Sequence, residues 1–274
     1  MAVVLGLVTA FAWAFSNVFT QKAARTSTPP VALMFSVLLI SAAAVLPIAL
    51  LVDGLRGPWT IEALAWPVAG GALSVLGFFL LLRALTQGSL SVVAPIIALE
   101  GGLATLISIA LGERPSALQY LLLAVAVAGA VLVALEPGRR TAAGAVPAAL
   151  GALVYAAVLV ALGKSALPEL TTVAVTRGTS LLVILPLFVL ARRLPSRDAA
   201  WPIVFCGVLD AVGFVAFAYA AAVGPLSVAS VTATQWGTAA ALIGIIGMRE
   251  RLHVNQYVGI AVTLLAVTGL GLLG

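Results

Sequence analysis

The chain has 274 residues, of which 63% are hydrophobic and 8% are charged, and its formal net charge is +5. Soluble domains have roughly a quarter of their residues charged, so this composition excludes an ordinary soluble protein and predicts a lipid environment. The 14 Lys and Arg residues lie mostly in short connections rather than along one stripe, which argues against nucleic acid as a partner.

Ten apolar segments separated by turn-forming residues predict an all-α integral membrane protein with ten transmembrane helices. Each segment is close to the length that crosses the roughly 30 Å hydrocarbon core of a bilayer. The first segment has no basic residue ahead of it, so we expect a retained helix rather than a cleaved signal peptide. In chain order the predicted helices span residues 2–21, 31–51, 66–86, 91–111, 118–136, 143–163, 170–191, 201–222, 226–247 and 255–273.

The second half of the chain repeats the first. The Gly-Phe pair at residues 77–78 recurs at 213–214, and the run Gly-Ser-Leu-Ser-Val at 88–92 returns as Gly-Pro-Leu-Ser-Val at 224–228. The pair Glu113-Arg114 recurs as Glu250-Arg251. We therefore predict two five-helix units, residues 1–138 and 139–274. Because five is odd, the second unit enters the membrane from the opposite side, and the two units form inverted repeats. Such repeats commonly enclose a substrate site that opens alternately to each side.

The basic residues of the connections predict an orientation. The odd-numbered connections carry Lys22, Arg25, Arg83, Arg139, Arg140, Arg192, Arg193, Arg197, Arg249 and Arg251, whereas the even-numbered ones carry Arg56, Arg114 and Lys164. Positively charged connections favour the cytoplasmic side, so this count predicts that both termini lie outside the cytoplasm.

Four ionisable residues fall inside the predicted spans: Glu100, Asp210, Arg177 and Arg83. A charge at the bilayer centre costs about 2.5 to 3.5 kcal/mol on insertion scales, so it persists only when paired, solvated or neutralised. We interpret Glu100 or Asp210 as a carboxyl group that takes up and releases a proton, and Arg177 as a partner of one of them or of substrate. The alternative is a structural ion pair. Arg83, near a helix end, is expected to extend to the headgroups.

Glu100 precedes Gly101-Gly102, and the equivalent place in the second half is Gln235-Trp236-Gly237. Adjacent glycines loosen a helix and leave its backbone uncovered by side chains. These two stretches therefore predict a substrate pocket at one depth of the membrane. The alternative is that the glycines only allow neighbouring helices to pack closely and that Trp236 is ordinary packing.

A second group of candidate substrate-binding residues lies on the first and sixth spans: Trp13, Asn17 and Tyr155, with Ser16 beside them. A tryptophan can stack on a ring or hold a cation on its face, and an asparagine can bind a carboxylate or an amine. Mid-span packing is the alternative for Trp13. Three further tryptophans at span ends are expected to be interface anchors: Trp59, Trp66 and Trp201.

These residues resemble the drug/metabolite transporter superfamily, in particular the ten-helix EamA-type exporters with two EamA repeats. The matching stretches are residues 13–17 with Lys22 at the end of the same span, the tripeptide Leu99-Glu100-Gly101, residues 112–115 followed by Gln119-Tyr120, and residues 248–252. The family often has Gly where this chain has Ala14, and Pro where it has Gly101. The resemblance implies export of amino acids, their analogues or amphiphilic drugs, often in exchange for protons. It also implies cytoplasmic termini, opposite to the charge count.

We therefore predict a secondary transporter of the cell's inner (plasma) membrane that exports small organic metabolites, with protons as a possible coupling ion. A proton-independent exchanger or importer of a nucleoside- or sugar-type metabolite is the alternative. An enzyme is disfavoured because the chain has one His, one Cys (Cys206) and no phosphate-binding loop, and we expect no cofactor or metal site. A structural or receptor-like protein would have a filled core. One chain supplies both repeats, so a monomer suffices, although Gly259 and Gly269 could support a dimer.

Overall fold

A computed structural model describes residues 1–87, 93, 96–134, 144–239 and 254–273. Within these residues every regular element is helical. The helices are α1 (Ala2–Ala24), α2 (Pro30–Val52), α3 (Ile61–Gln87), α4 (Glu100–Ala110), α5 (Ala117–Ala134), α6 (Ala145–Gly163), α7 (Glu169–Ala191), α8 (Ala200–Ala222), α9 (Leu226–Ala233) and α10 (Val254–Leu273), with a 3₁₀ turn at Arg197–Ala199 before α8.

Six helices are long and apolar enough to cross a membrane: α1, α2, α3, α6, α7, and α8 together with its preceding 3₁₀ turn. Shorter apolar helices occur at Glu100–Ala110, Ala117–Gly129 and Tyr257–Leu270. The chain is therefore a multi-pass membrane protein. The prediction of ten spans goes beyond this, because the fourth and ninth predicted spans, residues 91–111 and 226–247, lie partly outside the described residues.

Proline places the start of several helices. Pro30 is the first residue of α2, while Pro168 and Pro225 immediately precede α7 and α9. A proline at or before the first turn removes no helical hydrogen bond, and its fixed φ favours helix initiation. The breaker residues of the sequence therefore mark helix boundaries, as expected from the apolar segments.

The helices pair reciprocally between the two halves. Each helix of the first half packs on one of the second: α1 on α8, α2 on α7, α3 on α6, α4 on α9 and α5 on α10. If each helix of the first half is exchanged with the helix numbered five higher, α1 with α6 and so on, the same set of pairs results. Two repeats related by a two-fold axis would give such a set. The inverted arrangement stays a prediction, which this pairing supports.

Contacts between connections define one end of the helix bundle. At this end Asp53, which follows α2, contacts Thr171 near the start of α7. Gly163, which ends α6, lies against Leu226, the first residue of α9, and Glu113 after α4 contacts Ser227. We call this end, formed by residues 53–57, 113, 163–171 and 224–227, the Asp53 end.

The outer surface of the bundle is apolar. Leu51, Leu182 and Leu190 are each more than two-thirds exposed, which suits contact with lipid tails. Trp59, Trp66 and Trp201 are also exposed. Trp201 lies beneath the Lys22 ammonium, whose nitrogen is 5.2 Å from the ring centroid. The exposure of these tryptophans agrees with the prediction of interface anchors.

Candidate functional site

A cavity lies in the middle of the bundle, between α1, α2, α3, α4, α6, α7 and α8. Most of its wall is apolar or aromatic, and a few charged and hydroxyl groups face each other across it. We call it the central cavity.

The central cavity brings together seven of the eight residues that the sequence predicts for substrate binding. They come from α1, α4, α6, α7, α8 and the helical residues that follow the turn after α9: Trp13, Asn17, Glu100, Tyr155, Arg177, Asp210 and Trp236. The eighth, Gln235, is not part of its lining. Arg83 lies exposed near the end of α3, as expected for a side chain that extends to the headgroups.

Gln235 instead faces a smaller hollow between α5 and α9. Its amide nitrogen donates to the carbonyl oxygen of Val231 at 2.9 Å, and its amide oxygen accepts from the Thr238 hydroxyl at 3.1 Å. The sequence placed Gln235 beside Trp236 at the same depth. In the helical turn, however, the two consecutive side chains point in different directions, and only Trp236 reaches the central cavity.

Arg177 and Asp210 form an ion pair on the wall of the central cavity. The Arg177 Nη2 lies 3.1 Å from Asp210 Oδ1 and 3.0 Å from Oδ2, and the Ser41 hydroxyl donates to Oδ2 at 2.7 Å. The guanidinium carbon is 3.4 Å from the ring centroid of Phe214. Arg177 is buried, whereas the Asp210 side chain is 19% exposed. The pair satisfies the expectation that a charge inside the membrane needs a partner.

Glu100 is bound by the residue that corresponds to it in the other half. The indole nitrogen of Trp236 donates to Glu100 Oε1 at 3.1 Å. Both residues follow a helix interruption: turns at Ala98–Leu99 and Thr234–Gln235 separate them from the preceding helical residues. Both side chains are buried, at 4% and 2% exposure. The two interrupted helices therefore meet at the cavity through this hydrogen bond.

The interruption does not lie at Gly101-Gly102, where the sequence predicted it. Both glycines lie within α4, which begins at Glu100 and continues to Ala110. A Cβ on Gly101 would collide with the Thr234 hydroxyl and would lie 2.8 Å from the Ser230 carbonyl oxygen. Gly101 is therefore required for the close approach of α4 to α9, which was the alternative interpretation of these glycines.

Aromatic rings form the part of the cavity next to the ion pair. Trp13 packs edge-on against Phe214 with ring centroids 5.3 Å apart, and it lies 6.3 Å from Phe217. The Asn17 amide donates to the Trp13 carbonyl oxygen at 3.0 Å. Trp13 Nε1 and Arg177 Nε are buried donors for which the described part of the chain offers no acceptor. Buried N–H groups are rarely left unpaired, and the Trp13 Nε1 lies against Gly213 of α8.

A hydroxyl and thiol cluster lies on the α1 and α8 side: it contains Ser16, which the sequence grouped with Trp13 and Asn17, and also Thr20 and Cys206, to which the sequence assigned no binding role. The Ser16 hydroxyl donates to the Cys206 carbonyl oxygen at 3.2 Å, and the Thr20 hydroxyl lies 3.0 Å from the Cys206 sulfur. The corresponding positions of α6, Val158 and Leu159 among them, are apolar. The hydroxyl of a Ser or Thr inside a helix can donate to a carbonyl oxygen of its own helix, so the residue type alone does not indicate a binding site.

The groups that line the central cavity match the chemistry of a small amphiphilic solute. Two carboxyl groups and one guanidinium group provide partners for an amine and for an acceptor group, and the aromatic walls can contact a ring or an apolar side chain. In the described residues no three His, Cys, Asp or Glu side chains come together as metal ligands would. A phosphate ester would require more cationic donors than the single paired Arg177 supplies.

Two comparisons with known proteins give matches over nearly the whole chain. The model of the EamA-like transporter family matches residues 1–135 and 143–272. A solved structure titled "Crystal structure of protein" superposes with a TM-score of 0.79 at 20% sequence identity, covering 99% of this chain and 96% of its own. At that identity the likeness concerns the fold alone. No curated protein matches the chain at a significant level.

Proposed function

The chain belongs to the EamA-like transporter family of the drug/metabolite transporter superfamily, and on that basis we propose that it is a secondary transporter exporting small organic metabolites. Two five-helix units, residues 1–138 and 139–274, are part of the proposal, and the separate family matches at residues 1–135 and 143–272 support them. These units act as inverted repeats that expose the central cavity alternately to each side of the cell's inner (plasma) membrane. The observation that carries the proposal is the central cavity, which gathers charged, aromatic and hydroxyl groups between the spans.

The substrates are amino acids, amino-acid-like compounds or aromatic and amphiphilic solutes. A zwitterion complements the Arg177–Asp210 pair because its own two charges can lie antiparallel to those of the pair. The unpaired Arg177 Nε and Trp13 Nε1 add donors for a carboxylate. Trp13, Tyr155 and Phe214 provide ring faces for an aromatic side chain or an organic cation.

Glu100 couples transport to protons in this proposal. It is buried, and its described partner is the Trp236 indole rather than a cation. A carboxylate in such a place carries an uncompensated charge. Proton uptake and the binding of a cationic substrate group both lower the free-energy cost of burying that charge. Substrate and proton then compete for the site, which gives exchange of one for the other.

A proton-independent exchanger or importer of a nucleoside- or sugar-type metabolite is the second candidate. The hydroxyl groups of Ser16 and Thr20 and the amide of Asn17 line one side of the central cavity. These groups suit the hydroxyls of a neutral ligand. In this case Glu100 serves only as an acceptor for Trp236, and a pH gradient has no effect on the transport rate.

The test is efflux from proteoliposomes filled with a mixed metabolite extract, with and without an imposed pH gradient, read by mass spectrometry. We expect selective loss of amino-acid-like or aromatic solutes that becomes faster with the gradient. Glu100→Gln should abolish the acceleration and keep substrate binding. Glu62→Gln, at an exposed position near the start of α3, is the matched control and should behave as wild type.

The outcomes separate the candidates. Selective loss of nucleosides or sugars at equal rates with and without the gradient would favour the second candidate. Normal gradient-driven efflux by Glu100→Gln would contradict proton coupling at Glu100. Folded protein that releases no solute, even with a mixed extract on both sides, would contradict transport itself.

A further inference from the structure

We propose that Asp53 and Glu113 form a gate that holds the Asp53 end of the bundle closed during the transport cycle. The inference rests on the proposed alternating access, since it assigns to that cycle the contacts that keep one side shut. Both carboxylates belong to the first half of the chain, and both bind the first turn of a helix in the second half.

The first contact joins Asp53 to α7. Asp53 Oδ2 accepts a hydrogen bond from the backbone N–H of Thr171 at 3.0 Å and another from its hydroxyl at 3.2 Å. Thr171 is the third residue of α7 and is fully buried. The carboxylate therefore satisfies a free N–H at the positive end of the helix, where an anion is most strongly favoured.

The second contact joins Glu113 to α9 with the same chemistry. Glu113 Oε2 accepts from the backbone N–H of Ser227 at 3.1 Å, and Oε1 accepts from the Ser227 hydroxyl at 2.7 Å. Ser227 is the second residue of α9 and is also fully buried. The sequence motif Glu-Arg at residues 113–114, which closes the fourth span, thus has a partner 114 residues away.

The two contacts lie over a closed layer between the Asp53 end and the central cavity. On α7, the residues from Leu170 to Val173 are buried before Arg177 reaches the cavity. On α9, all residues from Leu226 to Ala233 are buried before Trp236 reaches it. A solute that enters or leaves through this end must separate these helices from the first half. Such a separation breaks both contacts.

The opposite end of the bundle is built differently. Asp53 directly follows α2, and the residue that directly follows α7 is Arg192, a cation that cannot accept an N–H bond. The third residue of α2 is Ala32, which has no hydroxyl, where α7 has Thr171. A described contact between the halves at that end joins the hydroxyls of Thr28 and Ser196 at 2.9 Å. Ser91 and Glu250, the repeat counterparts of Ser227 and Glu113, lie outside the described residues.

At the described positions, Asp53 makes a contact between the halves that its counterpart Arg192 cannot make. Hydrogen bonds to an ionised acceptor are stronger than neutral ones, and each carboxylate at the Asp53 end accepts two of them. We therefore assign Asp53 and Glu113 as positioning residues that favour the conformation closed at this end. They act on access to the central cavity without touching the substrate.

Cross-linking tests whether the Asp53 end must open. Asp53→Cys together with Thr171→Cys, oxidised or bridged by a short bifunctional thiol reagent, should lower efflux at least tenfold, and reduction should restore it. Ser165→Cys with Thr172→Cys is the matched control. These two hydroxyls are 2.7 Å apart at the same end but lie within one half. This control should transport when cross-linked. Full transport by protein shown to be cross-linked between positions 53 and 171 would overturn the gate.

A second measurement reports the gate without using transport. Cys206 is the single cysteine of the chain and lines the central cavity, so a charged, membrane-impermeant thiol reagent detects access to it. In oriented proteoliposomes, Asp53→Ala with Glu113→Ala should speed labelling from the Asp53 end about tenfold, since loss of one helix cap alone shifts an equilibrium several-fold. Labelling from the opposite end should not rise.

The conservative variant and the wild type complete the test. Asp53→Asn keeps an oxygen that accepts from Thr171. In place of Asp53→Ala, combined with Glu113→Ala, it should therefore make the labelling of Cys206 slower than in the double alanine variant. Unchanged labelling in the double alanine variant, with the protein folded, would overturn the gate. If wild-type protein moves no solute at all, the proposed function fails, and the labelling of Cys206 then decides the gate by itself.

Discussion

Asp210→Asn should destabilise the protein strongly, because it removes the anion from a buried ion pair. Arg177 is 2% exposed, and its Nη2 lies 3.0 and 3.1 Å from the two Asp210 oxygens. Removing one partner of a buried pair costs about 3 to 5 kcal/mol, since the other charge stays buried and uncompensated. The Phe214 ring lies 3.4 Å from the guanidinium and is present in both proteins, so this contact cancels from the difference. The asparagine oxygen can still accept one bond, so we expect about 3 kcal/mol.

The assay is unfolding in mixed micelles titrated with a denaturing detergent, which gives the free energy of unfolding. Ser41→Ala is the matched control. It removes one hydrogen bond to the same carboxylate and leaves the ion pair, so it should cost about 1 kcal/mol. The double variant Arg177→Met with Asp210→Asn removes both charges and should return to within about 1 kcal/mol of wild type.

Two results would refute this reasoning: an Asp210→Asn protein as stable as the Ser41→Ala control, or a double variant as unstable as Asp210→Asn alone. Either one would mean that the guanidinium is compensated by something other than Asp210. The double variant also separates structure from function, because a stable protein that no longer transports zwitterions would show that the pair acts on substrate.

Three further predictions concern the walls of the central cavity. Gly101→Ala should cost about 1 to 3 kcal/mol in unfolding free energy because the methyl group meets Thr234, and Thr234→Ala should restore part of it. Alkylation of Cys206 with a bulky maleimide should block efflux, and saturating substrate should slow the alkylation, measured by mass spectrometry; equal rates with and without substrate would contradict a shared cavity. Trp236→Phe removes the donor to Glu100 and should reduce the acceleration of efflux by a pH gradient, while unchanged gradient dependence would show that the bond has no part in coupling.

The membrane class and the helix positions could be predicted from the sequence because they follow from local properties. Apolar length and proline boundaries decide where a helix can lie in lipid, and six spans emerge clearly in the structure. The predicted third span begins at residue 66, whereas α3 begins at Ile61. A helix can continue beyond the apolar core, as α3 does with Glu62 in its first turn, so apolar length predicts the span and not the first residue of the helix.

Residues of the candidate site could be predicted from the sequence where they are charged, because burying a charge in the membrane costs free energy. Glu100, Arg177 and Asp210 stood out because a charge in an apolar span needs compensation. Ser41 and Thr20 did not stand out, because a hydroxyl inside a helix can bond its own backbone and carries no such cost. Gln235 was predicted beside Trp236 from adjacency along the chain, yet consecutive helical side chains diverge by roughly 100°.

The sequence by itself determined that this protein lives in a membrane, that its second half repeats its first, and which charged residues require partners. These properties depend on residue type and spacing alone. Only the tertiary structure decided which partners they have: Asp210 for Arg177, the Trp236 indole for Glu100, and Ser227 for Glu113. Each of these contacts joins different helices, and the last two join the two halves of the chain. The physical reason is that lipid favours any apolar helix equally, so the choice among helix pairings is left to packing and to the hydrogen bonds between them.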